Sequence, residues 1–163
     1  MSVNQMFPQN GFFLYDSDNL KWVPRAPILY SENFALVHVA GKIYCFRVPI
    51  DTELAIVECY DIAADQWKYI GDMPTALSNL NAVTYNNLVY VLGGKTILHD
   101  YSLLRFDPEC LDWTTLSVLP KASLLIGACV VSQGKIYVYE DGMPAYIEIY
   151  SIEHDLWRSG PPL

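Results

Sequence analysis

Four tryptophans recur at almost equal intervals and limit this chain to a repeat architecture. Trp22, Trp67, Trp113 and Trp157 are separated by 45, 46 and 44 residues. Each has an aromatic residue seven positions earlier, and the segments between read YDSDNLKW, YDIAADQW, FDPECLDW and YSIEHDLW. Each segment combines an aromatic strand end, a polar turn and a second strand that opens on tryptophan. A fixed period of this length predicts an array of similar structural units.

A second element recurs between the tryptophan segments. Residues 34–48, 81–94 and 127–141 each contain two short apolar runs that flank a tight turn of Ala-Gly-Lys, Asn-Asn or Gln-Gly-Lys. Such segments predict β-hairpins. Because both runs are almost continuously apolar, we expect the hairpin strands to be buried on both faces. One period then holds four strands, which predicts an all-β propeller with one four-stranded antiparallel blade per repeat.

The repeats resemble the kelch family, whose unit ends an apolar hairpin in Ile-Tyr-x-x-Gly-Gly and continues to an aromatic-Asp turn and a tryptophan. The resemblance covers almost the whole chain, residues 12–162. Two repeats hold Arg47-Val48 and Glu140-Asp141 in place of the diglycine. Where the diglycine is present it ends a strand, and we expect it to serve there only through its conformational freedom. The matching hairpin positions are Tyr44, Tyr90, Tyr137, Gly93 and Gly94.

The kelch strand order, from innermost strand a to outermost strand d, implies a division of the chain into blades. Residues 1–11 are expected to be a leader, and 12–24 the c and d strands of an incomplete blade. Three complete blades are expected at 25–70, 71–116 and 117–163. Since the resemblance implies a six-bladed ring, this kelch β-propeller fragment is expected to form about half of one. We expect the remainder of a propeller, or another copy of the chain, to cover the open blade edges.

The loops between the strands hold the candidate binding residues. In kelch propellers the d–a and b–c loops gather on one face, where partners usually dock. These loops vary here while the strands repeat, as in a constant scaffold that carries recognition loops. Acidic and tyrosine side chains predict a protein or peptide partner of basic or mixed charge, although ordinary solvated loops would look similar. The predicted face comprises Tyr30, Glu32, Asn33, Asp51, Glu53, Asn79, His99, Asp100, Tyr101, Glu140, Asp141, Met143 and Tyr146.

Arginines that contact acidic substrates in some kelch proteins have no counterpart in this sequence. The matching positions of the d–a loops hold Ser31, Leu77 and Leu124. The resemblance therefore disfavours recognition of an acidic peptide.

Net charge is −8, but half of the 18 acidic residues fall in the polar c–d turns, where local hydrogen bonds favour them. The ten Lys and Arg residues are scattered and form no basic patch, which argues against a nucleic-acid partner. The acidic turn residues are Asp16, Asp18, Asp61, Asp65, Asp107, Glu109, Asp112, Glu153 and Asp155.

The resemblance implies a binding function without catalysis or a cofactor. The best match is the substrate-recognition propeller of a BTB–kelch adaptor for a cullin-RING ubiquitin ligase, and a cytoskeletal or actin-associated kelch protein is the alternative. Some kelch propellers resemble copper oxidases, whose metal needs converging His and Tyr ligands. Here His38, His99 and His154 are expected on a buried inner strand, a b–c loop and a c–d turn. These positions cannot share a metal, so no enzyme is expected.

Cysteine spacing and hydropathy complete the sequence-based expectations. The four cysteines form no CxxC pair, which disfavours a zinc site, and since no secretory signal is visible we expect reduced thiols, with Cys45 and Cys129 buried and Cys110 exposed. No basic stretch followed by an apolar segment opens the chain. The longest apolar run, residues 124–131, is far shorter than a membrane-spanning helix requires. These features predict a cytoplasmic location without membrane contact.

Overall fold

The computed structural model describes residues 11–28, 34–49, 54–94, 102–120, 126–140 and 145–161. Every regular element in these ranges is a β-strand. The strands are β1 (Phe12–Asp16), β2 (Lys21–Arg25), β3 (Phe34–Val39), β4 (Lys42–Arg47), β5 (Ile56–Asp61), β6 (Gln66–Asp72), β7 (Ser78–Tyr85), β8 (Leu88–Gly94), β9 (Ser102–Asp107), β10 (Asp112–Thr115), β11 (Ile126–Ser132), β12 (Lys135–Glu140), β13 (Tyr146–Ser151) and β14 (Leu156–Ser159).

The strands form four antiparallel sheets in which sequence neighbours are also neighbours in space. Blade 1 contains β1 and β2, blade 2 contains β3 to β6, blade 3 contains β7 to β10, and blade 4 contains β11 to β14. The prediction of four-stranded antiparallel blades is confirmed. The first strand of blade 3 contacts the first strands of blades 2 and 4, so the blades stand side by side along their inner strands.

The three hairpin turns between the inner strands adopt left-handed backbone conformations. Ala40 and Gly41 have φ angles of 50° and 75°, and Asn86 and Asn87 have φ angles of 50° and 62°. Gln133 and its following glycine repeat this geometry. Two consecutive residues with positive φ define the type I′ turn, whose twist matches that of the flanking strands. The predicted tight turns are confirmed.

Aromatic side chains fill the space between blades 2 and 3. Tyr44 and Phe46 alternate along β4 on the side that faces blade 3. The Phe46 ring lies 5.7 Å from the Phe106 ring and 5.8 Å from the Trp113 ring, centroid to centroid, both edge to face. Phe46 and Phe106 are almost completely buried. Burial of rings of this size is a major stabilising contribution to such a junction.

Burial on both faces is confirmed for β4 and β8 but is wrong for β3, β11 and β12. Along β3 the side chains alternate between buried and exposed, and Phe34, Leu36 and His38 lie on the exposed side. His38 is therefore a surface residue and not the expected core histidine. The reason is positional: the buried side of β3 packs on blade 3, whereas the described part of blade 1 has only two outer strands.

Gly93 is required for close packing and not for conformational freedom. It is absent from the residues with positive φ. A Cβ atom at this position would collide with the Cβ atom of Leu77, which is almost completely buried at the start of blade 3. The single diglycine of the chain thus lets the segment before β7 approach the backbone of β8.

Candidate functional site

Antiparallel blades place their connections at two opposite ends. We call the end with the a–b and c–d turns the turn end, and the end with the b–c and d–a loops the loop end. The predicted partner face lies at the loop end. The structure describes Asn79, Glu140 and Tyr146 of this face. The other predicted face residues lie outside the described residues: Tyr30, Glu32, Asn33, Asp51, Glu53, His99, Asp100, Tyr101, Asp141 and Met143.

Glu140 and Tyr146 face each other at the base of the b–c loop of blade 4. They are cross-strand partners, as the last residue of β12 and the first of β13. Only 1% of Glu140 is exposed, so this side chain belongs to the frame of the loop and not to an exposed contact surface. Glu148 is equally buried on β13, and its Oε1 accepts a hydrogen bond of 2.8 Å from the Ser159 hydroxyl.

An ion pair occupies the corresponding base in blade 2. The Nε of Arg47 donates to Oε2 of Glu58 at 2.8 Å, and both side chains are buried. Breaking a buried pair leaves an uncompensated charge, so this contact holds the end of β4 against β5. Burial, followed by the negative charge of Glu58, raises the pKa of the neighbouring Cys45 thiol to about 12. Cys45 is thus a protonated core thiol.

The loop that joins blades 2 and 3 is described along its whole length. Asp72 and Pro74 are exposed where β6 ends, while Leu77 turns inward. Asn79 is exposed with φ at 51°, a conformation that asparagine tolerates well. Its carbonyl accepts a hydrogen bond of 3.2 Å from the side-chain amide of Asn81. Asn79 therefore presents its side chain from a fixed backbone.

Two exposed apolar residues beside this loop were absent from the sequence-based set. Leu54 is 59% exposed and Tyr69 is 55% exposed. The Tyr69 hydroxyl is hydrogen-bonded to the carboxylate of Asp72, which raises the pKa of Tyr69. The exposure of Tyr69 could have been predicted from its position on the outermost strand of the blade, because an outermost strand has one side that faces solvent. We call Leu54, Tyr69, Asp72 and Asn79 the loop-end patch.

Acidic side chains at the turn end mainly order their own turns. Oδ1 of Asp16 accepts hydrogen bonds from the backbone amides two and three residues later, at 3.1 and 3.0 Å. Asp61 repeats both bonds at 2.9 and 3.0 Å, and Asp107 repeats the first at 2.9 Å. The predicted local role is confirmed for these three residues.

Asp65 differs, because it joins two blades. Its Oδ1 accepts a hydrogen bond of 2.8 Å from the backbone amide of Ala26, at the end of blade 1, and one of 2.6 Å from the Tyr60 hydroxyl. The indole of Trp67 donates to the carbonyl of Ala26 at 3.0 Å. We call this three-bond arrangement the clasp. The ring of Phe12 packs edge to face against Tyr60 and Trp67 beside it.

A clasp with the same three bonds joins blades 3 and 4. Oδ1 of Asp155 accepts from the Ser117 amide at 2.9 Å and from the Tyr150 hydroxyl at 2.7 Å, and the Trp157 indole donates to the Ser117 carbonyl at 2.8 Å. The Ser117 amide and then the Tyr150 hydroxyl lower the pKa of Asp155. A purely local role is therefore wrong for Asp65 and Asp155.

Thiols and histidines give no sign of a metal centre in the described residues. The four cysteines are free; Cys45 is buried and Cys110 exposed, as predicted, and Cys129 is half-buried with a pKa raised by burial to about 11. His154 is exposed in its turn, with Nδ1 3.0 Å from the Ser151 hydroxyl oxygen. Within the described ranges, no three His, Cys, Asp or Glu side chains converge. The same ranges contain no helix long and apolar enough to span a bilayer.

Comparison with known proteins identifies relatives along almost the whole chain. Kelch repeat and BTB domain-containing protein 8 of Xenopus tropicalis is 29% identical over 160 residues, covering 91% of this chain and 25% of the relative. Kelch repeat and BTB domain-containing protein 12 of Homo sapiens is 26% identical, with 91% and 28% covered. Kelch-like protein 40 of Mus musculus is 29% identical, with 96% and 27% covered. The chain thus spans about a quarter of the length of these relatives. No protein-family model matches the sequence.

A solved structure supports the fold independently. The structure of YjhT superposes with a TM-score of 0.76 over 94% of this chain and 60% of that chain, at 14% sequence identity. At an identity this low, the likeness shows the fold and nothing about function. With the four-stranded antiparallel sheets, it confirms the predicted partial propeller.

Proposed function

We propose that this chain, a partial kelch β-propeller, is the substrate-recognition module of a BTB–kelch adaptor for a cullin-RING ubiquitin ligase. The observation that carries the proposal is the combination of kelch repeats along the chain with BTB–kelch and Kelch-like relatives that cover 90% or more of it. The repeated blades serve as scaffold, since their aromatic and acidic signature residues are used in packing and in clasps. Recognition is thereby assigned to the loops.

The loop end supplies the contact surface, and its ligand is a protein segment of basic or mixed charge. The loop-end patch combines an apolar side chain, a tyrosine, a carboxylate and an amide in exposed positions. Tyrosine offers a large contact area at a low entropic cost, and a carboxylate beside it favours a Lys or Arg of the partner. The net charge of −8 also favours a positively charged ligand, through long-range attraction.

A matched pair of charge reversals tests this assignment. Asp72→Lys alters the loop end, whereas Glu153→Lys makes the same change at an exposed position of the turn end. The tagged variants are expressed in cells, and captured proteins are quantified by mass spectrometry. We expect a set of proteins that Asp72→Lys loses about tenfold and that Glu153→Lys retains. Equal loss with both variants, or with neither, would remove the loop end as the contact surface.

A second measurement separates the adaptor role from other binding roles. Proteins captured through the loop end are expected to accumulate in the cytoplasm when the chain is depleted, and to the same extent when cullin activation is inhibited. Capture of actin with unchanged protein levels would instead support the cytoskeletal alternative. The two outcomes can be distinguished because depletion of the chain and inhibition of the cullin are applied to the same captured proteins.

A further inference from the structure

The c–d turn of blade 4 differs from the other three c–d turns in the residue that opens it. Asp16, Asp61 and Asp107 end the c strands of blades 1 to 3, and Ser151 ends the c strand of blade 4. In each of the three Asp turns, Oδ1 accepts a hydrogen bond from the backbone amide two residues later. Asp16 and Asp61 also accept the amide three residues later. The turn of blade 4 thus lacks the carboxylate that orders the other three.

The donors that such a carboxylate would satisfy are present in blade 4. They are the backbone amides of Glu153 and His154, two and three residues after Ser151. The Ser151 hydroxyl lies 3.0 Å from Nδ1 of His154, and no described residue accepts a hydrogen bond from either amide. Because Glu153 and His154 are exposed, both amides are open to an added acceptor.

A lysine lies directly across the strand pair from Ser151. Lys135 of β12 is its cross-strand partner, and Lys42 is in the same way the partner of Asp61 in blade 2. Directly opposite residues of an antiparallel pair are close enough for opposite charges to attract. Lys42 therefore has a carboxylate opposite it, whereas Lys135 has a neutral hydroxyl. Lys135 and the two amides together favour a negative group at Ser151.

The same residues border an open crevice between blades 3 and 4 at the turn end. Its volume is about 680 Å³, and its walls come from the a–b turns of both blades and the c–d turn of blade 4. Ser151, Lys135 and His154 line it on the side of blade 4, and Tyr85 lines it on the side of blade 3. Ser151 is half-buried at this crevice, which has room for a group larger than a carboxylate.

We propose that Ser151 is a phosphorylation site, and that its phosphate takes the place of the aspartate carboxylate of the other c–d turns. A protein kinase transfers the γ-phosphoryl group of ATP to Oγ of Ser151. The bond from Oγ to the γ-phosphorus forms as the bond from that phosphorus to the β–γ bridging oxygen breaks, ADP leaves, and the hydroxyl proton passes to a base of the kinase. The phosphate carries a charge of about −1.5 to −2 at neutral pH and three acceptor oxygens. These oxygens accept the amides of Glu153 and His154 and attract Lys135.

Acidic neighbours do not prevent this arrangement. Glu153 and Asp155 lie in the same turn, and their charges oppose a further negative group. Blade 2 tolerates a carboxylate at the same spacing, since Asp61 precedes the clasp residue Asp65 by four residues, as Ser151 precedes Asp155. Because Asp155 joins blades 3 and 4, an ordered turn is expected to stabilise that junction. The site lies at the turn end and is independent of the proposed function.

Phosphoserine incorporated at position 151 during synthesis of the full chain tests the proposed contacts. Phosphoserine at Ser17 is the matched control, because Ser17 is exposed in the c–d turn of blade 1, where Asp16 already accepts the amides. We expect the thermal unfolding midpoint to rise by about 2–4 °C for position 151 and by less than about 1 °C for the control. Proton NMR should show the amides of Glu153 and His154 shifted downfield by the phosphate.

An exchange of residues between two blades tests the same position without modification. Ser151→Asp supplies the carboxylate of the other turns, and it is expected to raise the unfolding midpoint by about 2 °C. Asp61→Ser removes that carboxylate from blade 2 and is expected to lower the midpoint by a similar amount.

Phosphopeptide mass spectrometry tests whether the modification occurs. The tagged chain is isolated from cells with phosphatases inhibited, and we expect a peptide with phosphate on Ser151 that Ser151→Ala removes. Three results would overturn the proposal. The first is recovery of this peptide in its unmodified form alone. The second is phosphoserine at position 151 that leaves the amides of Glu153 and His154 unshifted. The third is a midpoint that rises as much with phosphoserine at Ser17, since the effect would then not depend on the missing carboxylate.

Discussion

Two kinds of junction hold the blades together, and they differ at two repeat positions, the last residue of the c–d turn and the aromatic residue before that turn. Between blades 1 and 2 and between blades 3 and 4, the last turn residue is Asp65 or Asp155, and it reaches the backbone of the preceding blade. Between blades 2 and 3 the same position is Leu111, and the tyrosine of the clasp is replaced by Phe106. That junction relies on edge-to-face rings. Hydrogen bonding and aromatic packing are thus two ways to join adjacent blades that have the same backbone structure.

Removal of the central ring of the aromatic junction should have the largest effect. Phe46→Ala deletes a fully buried side chain and leaves a cavity, so we expect the free energy of unfolding to fall by about 3–5 kcal/mol. Leu92→Ala alters the same repeat position at the junction of blades 3 and 4, where the clasp remains. A loss of about 2 kcal/mol, the low end for a buried leucine, is expected there. Chemical denaturation measures both, and a larger loss for Leu92→Ala would contradict this ranking.

A reciprocal exchange of one hydroxyl should sharpen the comparison. Phe106→Tyr places a hydroxyl beside Leu111, which offers it no side-chain acceptor, and should cost about 1–3 kcal/mol of unfolding free energy. Tyr150→Phe removes the hydroxyl that donates to Asp155, and a loss of about 1 kcal/mol is expected. Both changes keep the ring, so the same denaturation experiment isolates the hydroxyl. If Phe106→Tyr were neutral, the two junctions would not differ in polarity as described.

Acid should weaken the clasps and spare the aromatic junction. The pKa of Asp155 is lowered in the folded chain by the Ser117 amide and then by the Tyr150 hydroxyl. A lowered folded-state pKa means that the stabilising contribution is present above the unfolded-state pKa, near 4, and is lost as the pH falls through the folded-state pKa. The stability difference between wild type and Asp155→Asn should therefore shrink from pH 6 to pH 2.5. Denaturation across this range measures it, and a constant difference would exclude the linkage.

Much of the fold could be predicted from the sequence because its signals are local. The hairpin turns and the segments from the aromatic residue to the tryptophan depend on residues close together in the chain, and their repetition is visible in the sequence without any knowledge of contacts. The clasps also require contacts between blades. The aspartate, tyrosine and tryptophan of each clasp are visible in YDIAADQW and YSIEHDLW, but the backbone donors at Ala26 and Ser117 lie 39 and 38 residues before the aspartates. Only the arrangement of whole blades brings these groups together.

The candidate site could be predicted less well, because exposure depends on neighbouring blades. Glu140 follows an apolar run and precedes a glycine-containing loop, so its sequence context resembles that of an exposed residue. The structure pairs it with Tyr146 inside the sheet. Conversely, Tyr69 belongs to a regular strand and gave no loop-like signal, yet it is exposed because its strand is outermost. Charge and hydropathy do not reveal which strand closes a sheet.

The left-handed turn position also makes the order of the blades non-interchangeable. Leu20, Asp65, Leu111 and Asp155 all occupy it with φ between 51° and 61°. The backbone conformation there is constant. The side chain at this position must therefore match the hydrogen-bonding groups that the preceding blade presents to it. A shuffled chain in which blade 3 followed blade 1 would present Leu111 to the amide of Ala26 and leave that donor unpaired. Duplication of such repeats therefore requires coordinated changes in adjacent units before a new arrangement is stable.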